Sequence, residues 1–231
     1  MDLIVEGIKE AIWLLLTFDV EVFGITFRTL QVSSTATFIA LVIGIPTGLL
    51  LALNDYPGKK VIITLVNTGM AFPPVAVGLW VTVFIWRSGP LGQLQLIYTP
   101  YALIIAQFII AFPMITAFTI AGVQQLNPKL HLQIWALGAS KLQYLWAIIR
   151  ETKLPLYAAI IAGFGAAISE VGASMMVGGN IQGSTRVLTT ATVLAVAKGD
   201  FGTGIALTLI LMTLAFLVTL VLTIIQQQER K

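Results

Sequence analysis

Five stretches of this chain, at about 28–53, 61–86, 101–126, 155–178 and 203–225, are long, apolar and almost free of charge. A bilayer core about 30 Å thick needs about 20 apolar helical residues to cross it. Inside lipid every backbone polar group must be satisfied within the segment, so runs of this length specify helices. Period-two alternation is absent, which argues against a β-barrel. The connectors carry turn signals: Asn54-Asp55-Tyr56-Pro57-Gly58, Ser88-Gly89-Pro90 and Asn127-Pro128. Composition agrees, with 58% hydrophobic and 10% charged residues and a mean hydropathy of +0.95. A soluble domain carries about 25% charged residues, so a soluble enzyme and a disordered chain are both excluded. With no cysteine and one histidine, neither disulfides nor a thiolate or histidine metal centre is expected. The net charge of +3 is too small to point to nucleic acid.

Residues 1–18 are apolar but short, interrupted by Asp2, Glu6, Lys9 and Glu10. Ile4, Ile8, Ala11, Ile12 and Leu15 share one helical face, with Asp2, Glu6, Lys9 and Trp13 on another. This amphipathic pattern favours an interfacial helix, with a short sixth span as the alternative. The acidic start and the lack of a small-residue cleavage site fit a signal peptide poorly.

Lysine and arginine set the orientation. Eight (Lys59, Lys60, Lys129, Lys141, Arg150, Lys153, Arg230, Lys231) fall on one side and five (Lys9, Arg28, Arg87, Arg186, Lys198) on the other. The first side is expected to be cytoplasmic, which puts the C-terminus and the 127–154 loop inside.

That loop is organised. Residues 130–137 read as a short helix ended by Gly138. Ser140, with Gln143 three residues on, reads as a capping box opening a second helix whose inner face is Leu142, Leu145, Trp146 and Ile149. Leu132, Ile134 and Trp135 are too apolar for a free loop and suggest a docking element. His131 is expected to be solvated. There is no phosphate-binding loop, since Gly58-Lys59-Lys60 lacks the upstream glycine and the following hydroxyl.

Leu137-Gly138-Ala139-Ser140, a helix and then Leu154-Pro155 resemble the cytoplasmic signature loop of ABC-importer permeases. The chain departs from that signature with Leu132-Gln133-Ile134 in place of Glu-Ala-Ala, and its Leu-Pro lies four residues later. The segment from Gly163 through Ile168-Ser169-Glu170-Val171-Gly172-Ala173 and Met175-Met176-Val177-Gly178-Gly179-Asn180-Ile181 precedes Thr185-Arg186-Val187-Leu188-Thr189-Thr190. This is similar to the molybdate, tungstate and sulfate permeases, and closest to those for tungstate. Pro57-Gly58-Lys59 and Phe72-Pro73-Pro74 match the family's short loop and proline-broken span. The resemblance implies an all-α permease of type I with five spans plus an N-terminal elbow helix, in the inner membrane of a prokaryote. It also implies a second copy, two cytoplasmic ATPase subunits that bind ATP and Mg, and an extracytoplasmic oxyanion-binding protein. The coupling contact would be Leu132, Ile134, Trp135, Leu137, Gly138, Ala139 and Ser140.

For the anion path the candidates are Ser169, Glu170, Ser174, Asn180, Thr185, Arg186, Thr189 and Thr190. Hydroxyls and amides bind an oxyanion weakly enough to release it. Arg186 is the one strong attractor. Glu170, an ionisable group costing about 2.5 kcal/mol or more at membrane depth, must face protein or water; pairing with Arg186 or another basic group is one expectation, and a structural carboxylate is the other. Molybdate or sulfate is the alternative cargo. A stand-alone secondary transporter or channel is the rival class; it would show inverted repeats and more buried charges. A membrane scaffold is a third reading, and leaves the organised loop unexplained.

Overall fold

The computed structural model describes residues 2–17 and 19–228. The side chains of Asp2 and Leu15, and residues Arg230 and Lys231, lie outside the described set. In order, the helices are α1 (Asp2–Leu16), α2 (Val20–Leu53), α3 (Lys59–Gly69), α4 (Pro74–Ile85), α5 (Pro100–Gln124), α6 (Pro128–Ala136), α7 (Lys141–Glu151), α8 (Lys153–Ile168), α9 (Gly172–Gly178), α10 (Leu188–Ala197) and α11 (Phe201–Gln228).

Three helices, α2, α5 and α11, are long and apolar enough to cross a membrane alone. The other two expected spans are bent pairs. α3 and α4 meet at 101° and α8 and α9 at 56°, each across a break of four residues or fewer. The first break follows from Phe72-Pro73-Pro74: proline lacks the N–H that would continue the helix, yet suits the first turn of the next. The second contains no proline and was not foreseen. α2 begins eight residues before the expected start, because the Asp19 carboxylate caps it by accepting from the Val22 N–H at 2.9 Å. α10 was also not anticipated; ten residues are too few to read as a span.

α2 and α5 pack side by side at the centre. Their close approach depends on glycine: a Cβ at Gly48 would stand 2.7 Å from the Thr119 Cβ, and one at Gly44 3.1 Å from Thr116 Oγ1. α5 packs in turn on α8, where Gly122 faces Pro155 and Gly163 faces Ile115. α1 lies along α11, with Gly7 against Ile205. Its buried face is Gly7, Ala11 and Leu14, while Ile4, Ile8 and Ile12 are exposed. Of the expected apolar face, Ala11 packs into the bundle while Ile4, Ile8 and Ile12 stay outside it.

Several hydroxyls within the helices are satisfied by their own helix. Thr37 donates to the Ser33 carbonyl at 2.7 Å, Thr116 to Phe112 at 2.8 Å, Thr119 to Ile115 at 2.7 Å and Thr208 to Gly204 at 2.8 Å. This is the back-bonding common in membrane helices. Ser33 Oγ, Gln107 Oε1 and Ser174 Oγ are buried without a partner.

Candidate functional site

The two broken spans meet at their breaks. A Cβ on Gly172 would lie 2.5 Å from Val75 Cγ2, and one on Gly78 2.6 Å from the Ala173 Cα. Absent side chains therefore let α4 and α9 touch where each emerges from its break. Irregular backbone at membrane depth is tolerated only where it is buried in protein or lines a water-filled cavity. On the first break Phe72, Pro73, Pro74 and Val75 are exposed; on the second, Ser169 is exposed and Glu170 buried.

Glu170 is a cap. Its carboxylate accepts from the Ala173 N–H at 2.7 Å, holding the first turn of α9, and its carbonyl accepts from Thr189 Oγ1 at 2.8 Å. Among the described residues it has no ion-pair partner, since Arg186 pairs with Glu21, and its hydrogen bonds fit the expectation of a structural carboxylate. The break itself exists because Ser169 ends α8 in a turn while this carboxylate restarts the chain as α9.

Beyond α9 the chain turns through Gly179 (φ 66°) and Asn180 (φ 51°), left-handed conformations suited to these residues. Thr185 Oγ1 donates to the Gly178 carbonyl and accepts from Ile181 N–H at 3.0 Å. Thr190 Oγ1 accepts from Val187 N–H at 3.1 Å, and the Asn180 amide donates to the Thr190 carbonyl at 3.2 Å. Ser169 donates to Gly165 at 2.7 Å. Asn180 thus fastens the 179–187 loop to α10, Thr185 closes that loop on the end of α9, Thr190 caps the start of α10 and Thr189 ties α10 to the break at Glu170, while Ser174 is buried with a hydroxyl that has no partner among the described residues.

Arg186 binds Glu21 at 3.0 Å, with side chains 17% and 48% exposed. The two line a cleft of about 260 Å³ with Glu10, Asp19, Lys198 and Asp200. Glu21 was missed as a partner because it lies 165 positions from Arg186 in the sequence. Thr29 was missed too; its hydroxyl accepts from Leu188 N–H at 2.9 Å and joins α2 to α10.

At the opposite end stands the α6–α7 hairpin. Asn127 caps α6, Gly138 (φ 75°) ends it, and the Ser140–Gln143 capping box opens α7. Leu132, Trp135 and Leu137 are exposed, Leu137 at 87%. Ile134 instead packs half-buried with Leu49, Val123 and Ile148. His131 is not free in solvent: its Nδ1 lies 2.7 Å from the Tyr144 hydroxyl, and Trp135 stacks on the Tyr144 ring at 4.8 Å. Burial pushes the Tyr144 phenol above its usual range, so it stays protonated. The inner face of α7 is Tyr144 and Ile148, not the expected Leu142, Leu145, Trp146 and Ile149, which are exposed.

Known proteins resemble this chain over nearly its whole length. The tungstate uptake system permease protein of Peptoclostridium acidaminophilum is 40% identical over 99% of this chain and 100% of its own. That of Campylobacter jejuni is 38% identical over 94% and 90%. A probable anion ABC transporter permease protein of Haloferax volcanii is 39% identical over 83% and 84%. The fold matches a chain of the MetNI methionine ABC transporter, solved in inward-facing conformations, with a TM-score of 0.71 at 20% identity, covering 88% of this chain and 93% of that one. The family described as binding-protein-dependent transport system inner membrane component matches residues 44–231, and the chain belongs to that family.

Proposed function

We propose that this chain is the membrane subunit of an ATP-driven importer of a tetrahedral oxyanion, and that the anion is tungstate. The observation that carries the cargo is the 40% identity, end to end, with a tungstate uptake permease. Two copies enclose the path between them. Two ATPase subunits, which bind ATP and Mg, dock on α6 in the cytoplasm, and an extracytoplasmic binding protein delivers the anion to the other end. In this reading residues 1–18 form the interfacial helix, residues 19–231 the transmembrane domain with its coupling loop at 127–154, and the C-terminus is cytoplasmic. The chain supplies no catalytic group; hydrolysis belongs to the ATPase.

The geometry supports a division of labour. The capped α6 presents Leu132, Trp135 and Leu137 as a rigid knob that can transmit a push. The residues exposed at the paired breaks present no strong donor, since Pro73 and Pro74 lack an N–H and the Ser169 hydroxyl is given to Gly165, which fits passage rather than capture. Arg186 gathers the dianion at the outer mouth. Thr185 and Asn180 hold the loop that carries Arg186, Thr190 caps the start of α10, Thr189 ties α10 to the break at Glu170, and the Glu170 carboxylate fixes that break.

The test is uptake of labelled tungstate by vesicles containing this chain, its ATPase and its binding protein. ATP-dependent accumulation, blocked by excess tungstate and not by sulfate, is expected. Accumulation without ATP would identify a secondary transporter, and preferential sulfate uptake would overturn the cargo.

A further inference from the structure

We infer that α7 is a membrane-surface helix whose Leu142, Leu145, Trp146 and Ile149 sink into the cytoplasmic leaflet. The inference rests on the proposed orientation for which leaflet is meant. At 100° per residue the surface of α7 divides into three sectors. Tyr144 and Ile148 meet the bundle. Gln143, Arg150 and Glu151 form an exposed polar sector. Between these lie the four apolar residues; Leu142 is 80% and Trp146 63% exposed. A helix lying flat against the bundle has these same three environments: protein beside it, water below and acyl chains above.

Two further observations favour lipid as the occupant. The apolar sector joins the exposed apolar side of a long membrane-spanning candidate: Leu145 shares a groove of about 390 Å³ with Leu49, Leu50 and Leu53 of α2, rimmed by Asn54, Trp135, Lys141 and Tyr144, and Leu50 is 62% exposed on that helix. At the border of the sector, the Arg150 guanidinium sits 5.3 Å from the Trp146 ring centre. Tryptophan beside a cation is the pairing that settles at the headgroup level, with the ring in the acyl boundary and the charge on phosphate. An interfacial helix buries its apolar face about 5–10 Å below the headgroups. Lys141 at the start of α7 adds attraction to an anionic leaflet.

The absence of native cysteine permits a direct test. Single variants Leu142→Cys, Trp146→Cys and Gln143→Cys carry a nitroxide label in the complete transporter, reconstituted in phosphatidylethanolamine–phosphatidylglycerol vesicles. At 142 and 146 the ratio of oxygen to nickel-chelate accessibility is expected to be several-fold higher than at 143. Nickel access at 142 equal to that at 143 would place the face in water. Exclusion of both reagents at 142 and 146 would mean that protein, such as the ATPase, covers it. Either result overturns the inference, and Leu142, being highly exposed, decides it even if Trp146→Cys assembles poorly. Sidedness is read separately, from protection of Gln143→Cys against an impermeant thiol reagent in intact cells. Labelling from outside would overturn the orientation and leave the depth result standing.

Discussion

Replacing Arg186 with glutamine separates a transport role from a bracing one, because the Arg186–Glu21 pair sets a ceiling on the bracing. The pair is 3.0 Å apart, but Glu21 is 48% exposed. Ion pairs open to solvent contribute about 0.2–1 kcal/mol, so losing this one changes the folded-to-unfolded ratio by at most about fivefold. A mouth lined by one sign of charge raises a substrate's local concentration and on-rate by about 10-fold or more at low salt; Glu10, Asp19 and Asp200 in the same cleft hold the effect of Arg186 to the low end of that range. Initial rates of labelled tungstate uptake, divided by the amount of intact complex, are therefore expected to fall about tenfold in Arg186→Gln at low ionic strength. The deficit should shrink as salt screens the wild-type advantage. Glu21→Gln removes the same pair and leaves the arginine free; its rate per complex is expected to equal or exceed wild type. A brace predicts equal small losses of intact complex in both variants and no change in rate. Unchanged uptake per complex in Arg186→Gln, or matching rate losses in the two variants, would refute the reasoning.

Leu132→Asp with Leu137→Asp should abolish co-purification of the ATPase while the permease still inserts; Ile134 is unsuitable because it packs against Leu49 and Val123, and retained ATPase binding would argue against α6 as the contact. Gly48→Ala forces a Cβ to 2.7 Å from Thr119 and 2.9 Å from the Thr116 carbonyl, so it should cost about 1–3 kcal/mol, seen as a lower temperature for loss of monodisperse complex. Gly165→Ala meets nothing within 4 Å and should be neutral or stabilising by about 0.5–1 kcal/mol in the same assay. Thr29→Val strands the buried Leu188 N–H and should destabilise by about 1–3 kcal/mol, with faster hydrogen exchange confined to the start of α10.

What was legible in the amino-acid order was what local rules govern. The α6–α7 hairpin needed only Asn127, Gly138 and the Ser140–Gln143 box, each acting over three residues. The first break was visible in Phe72-Pro73-Pro74. The inner face of α7 was misassigned because periodicity says which residues lie together, and in a membrane an apolar face turns to lipid as readily as to protein. On α1 the apolar residues Ile4, Ile8 and Ile12 are exposed, and Gly7, outside that apolar set, makes the contact with Ile205 of α11. The second break was hidden because its cause, a carboxylate capping α9, looks in the sequence like a charge awaiting a ligand. The path hydroxyls were read as donors to the anion because their backbone acceptors, at Gly178 and Glu170, become neighbours only after the 179–187 loop closes.

The threonines that bond back into their own helices bear on how this chain enters a bilayer. A hydroxyl satisfied four residues upstream is satisfied as soon as its helix forms, before any neighbour arrives. Those side chains add little to the barrier at the insertion machinery and leave the order of helix assembly free. Gln107 is different: it is long, nearly fully buried, and its carbonyl finds no acceptor role within α5. A solitary α5 would hold that amide in hydrocarbon. α5 is also the helix on which α2 and α8 both pack. Packing buries that amide without giving its carbonyl a partner among the described residues, so the cost that Gln107 adds at insertion is carried into the closed bundle rather than relieved by it.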